Sequence, residues 1–250
     1  MRLNVYIAKG GCASRRKADI LIKEGQVEVN HKKVTEPFYQ VVPGDKVKLR
    51  GKLVYIEEHI YILFNKPEGV TTTLSDRFAK KKVIDYLPDQ LKGVYPVGRL
   101  DKDSRGLLIL TNDGDFCYSL THPKFFVEKE YLVEIAGELK NNDCQKARKG
   151  LNDQGDFLKV DNIKILKKGK EMALCKVIVH EGKKRHLRRL FKSLGFEVTD
   201  LKRTRMGRFS LGSLKPGEYR IINKNNILKI HKLPVGTRHA LSSSFLVEKR

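Results

Sequence analysis

The stretch VGRLDKDSRGLLILTNDG, residues 97–114, constrains the fold more tightly than any other part of the chain. Its centre, Leu107 to Leu110, is an unbroken apolar run closed by the turn Asn112-Asp113-Gly114. A run without polar alternation reads as a strand buried on both faces, so the chain must supply a cover for each side of it. Further strand-like runs begin at Tyr61 (YILF), Tyr131 (YLVEI), Ala173 (ALCKVIV) and Glu218 (EYRII). Beyond residue 60 the helical candidates are Phe116–Leu120, Asn141–Lys149 and Arg185–Leu194. Strands outnumber helices and do not alternate with them one to one. An α+β fold with a mixed, largely antiparallel sheet is therefore expected.

The first fifty residues have a different grain. Ser14 is a good N-cap for a helix over Arg15 to Lys23, with Ala18, Leu21 and Ile22 as its apolar face and Gly25 as its stop. VEVN-HKK-V then alternates as a strand and turn around Asn30, and Pro43 to Asp45 lead into KVKL. Residues 1–50 are expected to hold two short helices and a strand pair, and 51–59 a connector. A main domain over 60–232 and a weakly patterned tail over 233–250 complete the expected layout.

Charge limits the partners. The chain carries 51 Lys+Arg against 29 Asp+Glu, a formal net charge of +22. That far exceeds the magnitude of about 2–8 usual for a small soluble domain. Cations that neutralise phosphates gain from counterion release, so a polyanion is the natural partner. No stretch is apolar enough to span a bilayer, and MRLNVYIAKGG lacks the apolar core of a signal peptide. Cys12, Cys117, Cys144 and Cys175 are far apart, with no C-x-x-C pair, and no H-E-x-x-H or P-loop pattern occurs. Neither a metal nor a cofactor is expected, and a reducing cytoplasm suits the cysteines.

Two features point at anion chemistry. Arg15, Arg16 and Lys17 occupy the first turn of the capped helix, where cations oppose the helix dipole at about 0.3–1 kcal/mol each. An RNA phosphate opposite them would justify the cost; a solvated charged turn is the plain alternative. The second feature is Asp101, a carboxylate among Arg99, Lys102 and Arg105 just before the buried strand. An arginine packed on it would keep it ionised, as a nucleophile or base requires, although a structural salt bridge would use the same residues.

Resemblance sharpens both readings. ASRRKADILIKEGQVEVNHKKV followed by VVPGDKVKL resembles the alpha-L RNA-binding module, first known from a small-subunit ribosomal protein. That resemblance implies that Arg15, Arg16, Lys17, Lys32 and Lys33 face RNA. FNKPEGVTTTLSD, VYPVGRLDKDSRGLLILTNDGD, HPKFFVEKEYLVEI and EGKKRHLRRLFKSLGFEVTDLKRTRMGRFSLGSLKPGEYR, in that order, resemble the pseudouridine synthases. More narrowly, they resemble the bacterial family that modifies single uridines in ribosomal RNA. The resemblance implies Asp101 as the essential carboxylate, Tyr131 as the aromatic stacked on the target base, and Arg188 as the basic residue paired with Asp101. Arg99 would help to hold the flipped state. Where the family often has Gln and Met, this chain has His186 and Leu190, which bears on substrate contacts.

The chemistry these residues offer agrees. A base to be rotated must leave its stack at a cost of a few kcal/mol, and one stacked ring returns about 1–3 kcal/mol. Tyr131 is the right size for that ring, and is otherwise simply a buried strand tyrosine. Arg188 could orient Asp101 by a bidentate contact, or bind phosphate.

Ten Lys or Arg lie between Glu181 and Arg208, opposed by Glu181, Glu197 and Asp200. The surplus, including Lys183, Lys184, Arg185 and Arg189, is expected to hold the RNA backbone. The expected protein is thus an isomerase of ribosomal RNA, large-subunit RNA foremost. It would act as a monomer on a ribosomal subunit or assembly intermediate. A small-subunit enzyme, a non-catalytic RNA-binding or assembly protein on the same fold, and a DNA- or membrane-binding basic protein are the alternatives.

Overall fold

The computed structural model describes residues 1–56, 59–91, 93–223 and 227. The tail expected over 233–250 lies outside them. The N-terminal part packs α1 (Leu3–Lys9) and α2 (Arg15–Lys23) on a small sheet of β1 (Val27–Val29), β2 (Lys32–Lys33), β3 (Val47–Leu49) and β4 (Lys52–Leu53). The strand order is β2-β1-β3-β4, a four-stranded sheet where a strand pair was expected. β4 falls in the stretch read as a connector; two residues with one apolar side chain are too short to register as a strand in sequence. Ser14 Oγ accepts from the Lys17 N–H, Ala18, Leu21 and Ile22 are buried, and Ala18 and Ile22 pack with Leu3, Ile7, Val27 and Val47.

The remaining strands are β5 (Tyr61–Lys66), β6 (Tyr95–Pro96), β7 (Arg105–Thr111), β8 (Lys129–Ala136), β9 (Leu151–Asp153), β10 (Asp156–Leu158), β11 (Asn162–Lys167), β12 (Met172–Val179), β13 (Val198–Met206), β14 (Phe209–Ser210) and β15 (Tyr219–Ile221). The helices are α3 (Gly114–Thr121), α4 (Asn141–Lys149) and α5 (His186–Ser193). A nine-stranded sheet runs β11-β12-β8-β13-β7-β5-β15, with β14 beside β13 and β6 beside β7. β13 and β7 are parallel, and the other pairs are antiparallel, so the fold is α+β with a mixed sheet.

β7 is covered on both faces, as its unbroken apolar run requires. Leu107 and Ile109 join a cluster with Tyr61, Leu63, Phe116 and Met206, while Leu108 and Leu110 face Ile62, Phe64, Val83 and Leu100. A third cluster fills the space between β8, β12 and α5, with Val133, Ile135, Val177, Leu187 and Phe191. Tyr131 packs against both this cluster and the one holding Leu100, so it stands where the two cores meet.

The register aligns one row across the sheet: Lys66 opposite Gly106, Gly106 opposite Arg203, Arg203 opposite Tyr131, and Tyr131 opposite Val177. Gly106 makes the row possible. Its φ of 103° is a glycine conformation, and a Cβ there would collide with the Arg203 backbone. Gly106→Ala should therefore lower the unfolding free energy by about 2 kcal/mol or more in urea denaturation. Gly155→Ala, at φ 82° but facing open space, should cost less.

Candidate active site

The Asp101 loop is pinned from both ends. On the approach, Thr72 Oγ1 donates to the Leu100 carbonyl at 2.7 Å and accepts from the Leu100 N–H. On the exit, Lys66 reaches in from the end of β5 with no exposed surface, and its Nζ donates to the carbonyls of Ser104 (2.7 Å), Pro67 (2.9 Å) and Lys102 (3.4 Å). The Gly69 N–H adds a second bond to the Lys102 carbonyl, and the Ser104 N–H closes the turn on the Asp101 carbonyl at 3.1 Å. Burial pulls the Lys66 pKa down to about 8 against the opposing charges of Asp103, Glu68 and Asp101. A lysine so placed spends all three N–H donors on backbone, which fixes the loop rather than the ligand.

The carboxylate of Asp101 itself is half-buried and makes no hydrogen bond or ion pair among the described residues. Here the structure corrects the expected pairing. Arg188 NH1 donates to the Val198 carbonyl at 2.8 Å and NH2 to the Asp103 carbonyl at 2.6 Å. Its Nε lies 3.3 Å from Asp103 Oδ2, close enough for attraction but not aligned as a hydrogen bond. Arg185 binds the same carboxylate with NH2 at 2.8 Å and NH1 at 3.3 Å. The charge partner of both arginines is thus Asp103, two residues past Asp101. Burial works to raise the Asp103 pKa, but the Arg185 hydrogen bond and the two guanidinium charges outweigh it and hold the carboxyl below its usual range. Arg185 also feels the charge of Asp101. An open depression of about 350 Å³, lined by Glu68, Gly69, Lys102, Asp103 and Arg185, lies beside the loop.

Several other cations are already engaged. Arg189, expected at RNA, clamps the β9–β10 hairpin to α5 through Asp153 (2.6 Å) and Asp156 (2.7 Å). Lys183 donates to the Phe157 carbonyl at 2.6 Å and pairs with Glu181. Arg105 is held by Asp200 at 2.7 Å, and Arg205 by Glu128 at 3.0 Å. The surplus of cations between Glu181 and Arg208 is therefore smaller than the bare count suggests. Arg15, Arg16, Lys17, Lys32, Lys33, Arg99 and Lys184 remain exposed. His186 is buried, its Nε2 donating to the Lys159 carbonyl at 2.8 Å, and burial lowers its pKa; it secures α5.

Four residues escaped the sequence reading. Lys66 and Asp103 stand one motif-length from recognised positions, in NKP and LDKD, and that proximity was the available signal. Arg203 is buried beside Tyr131 in the cross-sheet row, with Nε donating to the Leu107 carbonyl at 2.7 Å and Nη2 without a hydrogen-bond partner among the described residues. Nothing in a string of alternating cations distinguishes it from its neighbours. Lys129, two residues before Tyr131, donates to the carbonyls of His180 (2.6 Å) and Val127 (3.2 Å), and burial lowers its pKa to about 8.

The Asp101 carboxylate is thus left open on a braced loop, Tyr131 stands where two cores meet, and Arg185 and Arg188 gather on Asp103 beside them. Family comparison decides the matter: the model described as RNA pseudouridylate synthase matches residues 60–193, and the S4 domain model matches residues 1–47. The chain belongs to the RNA pseudouridine synthases. Over 234 residues it is 37% identical to the ribosomal large subunit pseudouridine synthase B of Bacillus subtilis, covering 93% of this chain and 96% of that one. It is 35% identical to the dual-specificity RNA pseudouridine synthase of Escherichia coli, covering 93% of this chain and 79% of the relative. A crystal structure of a pseudouridylate synthase superposes with a TM-score of 0.65 at 28% identity, over 92% of this chain and 99% of that one.

The depressed Asp103 pKa has a consequence for this synthase. A carboxylate held low by folding adds stability above its unfolded value, and that contribution is lost as pH falls through the folded value. Asp103→Asn should lower the unfolding free energy near about pH 6, and the gap to the wild type should narrow towards about pH 3. Urea denaturation at the two pH values measures it.

Proposed function

We propose that this synthase isomerises a uridine of large-subunit ribosomal RNA to pseudouridine, with Asp101 as its essential carboxylate. The observation that carries the reading is the open Asp101 carboxylate on a loop held at both ends, following Leu100, whose cluster Tyr131 packs against. In the reaction the C1′–N1 bond breaks, the uracil turns, and a C1′–C5 bond forms. C5 loses its proton and N1 gains one. Nothing is oxidised and no water is consumed, so the chain's own side chains suffice.

Tyr131 takes the flipped base on its ring, and exposed Arg99 holds the flipped state from the rim. Asp103 keeps Arg185 and Arg188 beside Asp101 without letting either occupy it. Arg15, Arg16 and Lys17 at the N-terminus of α2, with Lys32 and Lys33 on the hairpin, meet phosphates and set the register of the RNA. Lys184 adds to the same face near the site. The large-subunit assignment rests on the name of the Bacillus relative, matched over nearly its full length. The protein acts in the cytoplasm as a monomer, on the ribosomal subunit or an assembly intermediate.

The test is tritium release from transcripts labelled at uridine C5. Wild-type protein should release tritium from large-subunit RNA and not from small-subunit RNA. Asp101→Asn should bind the same transcript and release none. Release by the Asn variant at the wild-type rate would remove Asp101 from the chemistry, and release from small-subunit RNA alone would reassign the substrate.

A further inference from the structure

The segment between α3 and β8 carries rings that neither the core nor the catalytic reading uses. Phe126 is 65% exposed and sits in the left-handed region at φ 49°, a conformation unfavourable for a residue with a side chain. Its ring lies 5.3 Å from that of His180. His180 is itself fixed, Nδ1 by the Asp161 carboxylate at 2.8 Å and its carbonyl by Lys129 at 2.6 Å. Beside this pair, Tyr118 (46% exposed) and Phe125 (38% exposed) meet edge to face at 5.7 Å, and Lys124 Nζ stands 4.8 Å from the centroid of each ring.

We propose that Phe126, backed by His180, is a stacking platform for an unpaired nucleobase of the RNA strand flanking the target uridine. The proposal rests on the RNA substrate argued above. Placement favours it. Phe126 precedes Tyr131 by five residues, at most about 17 Å of extended chain, so its occupant lies within a few nucleotides of the flipped base. His180 opens the loop that carries Lys184 and Arg185 to the Asp101 site. At the other end of the segment, Asp115 of α3 meets Lys9 of the S4 domain at 3.3 Å. The stretch that carries the rings thus begins at the contact with the S4 domain and runs into β8, which carries Tyr131.

Composition favours RNA over a protein partner. Lysine is depleted from protein interfaces, whereas cations set among exposed rings are the usual surface for single-stranded RNA. A ring held by His180 at a strained backbone position is presented in advance, with little order left to impose on binding.

Filter binding of a large-subunit ribosomal RNA transcript at fixed salt tests the platform, using Phe126→Ala, Phe126→Leu and Phe126→Trp in the full chain. Ala and Leu should each raise Kd by about 5- to 100-fold, the span of one lost base stack, and Trp should restore it. Where tritium is released from the same transcript, KM should rise in parallel. A Leu variant that binds as the wild type does would make the contact apolar rather than stacked and overturn the proposal. So would an Ala variant with unchanged Kd, which would leave the rings to a protein partner. Binding without tritium release by the wild type would sink the proposed reaction, while the Kd series would still decide the platform.

Discussion

A lysine with no exposed surface holds the active site together. Lys66 ends β5 and gives its three N–H donors to the carbonyls of Pro67, Lys102 and Ser104. Burying an ammonium is costly, and the carbonyl contacts and the nearby Asp103, Glu68 and Asp101 charges offset that cost. Without the brace, the Lys102 and Ser104 carbonyls of the Asp101 loop and the Pro67 carbonyl would lose a partner at once, and the turn that carries Asp101 would rest on its own backbone bond and on Gly69. The location follows from the register, since Lys66 opposes Gly106 at the start of β7, and β7 is the strand both cores grip.

The second constraint is the division of charge between neighbouring carboxylates. Asp103 binds two arginines and is held low by them; Asp101, on the same turn, binds none. A carboxylate already locked in a bidentate pair would have to break that pair before meeting a substrate. Giving the pair to Asp103 concentrates cations at the site and leaves the reactive group open. The same economy runs through the main domain, where Arg105, Arg189 and Arg205 are held by carboxylates of the fold. Exposed cations remain on the S4 helix, on the β1–β2 hairpin and at Arg99 and Lys184, the positions proposed to meet RNA.

How legible this was depended on the distance over which each feature is determined. Leu107 to Leu110 announced a doubly covered strand because burial on both faces leaves no polar alternation. Asn141–Lys149 was legible to the residue, and the Ser14 cap needed only its local pattern. The motif resemblance singled out Asp101 and Tyr131, and the structure packs Tyr131 against both the cluster of β8, β12 and α5 and the one holding Leu100. The partner of Arg188 was not legible, because a guanidinium can reach Asp101 or Asp103 from the same helix and only the packing of α5 chooses. The partners of Arg189 were no more legible: Asp153 and Asp156 lie in a hairpin of two three-residue strands too short to be read. Lys66 looked like an ordinary strand-end lysine, since burial of a charge is a tertiary fact with no local signature.

The most direct measurement is turnover at saturating RNA for Lys66→Met beside Lys66→Arg, with RNA affinity measured on the same preparations. If the buried ammonium sets the aim of Asp101, the Met variant should keep its RNA affinity and lose about ten- to a hundredfold in turnover. Arg, which can still donate to carbonyls, should recover part of that loss. Full turnover in a folded Met variant would contradict the account, because the catalytic loop would then hold its geometry without the interaction on which it is argued to depend.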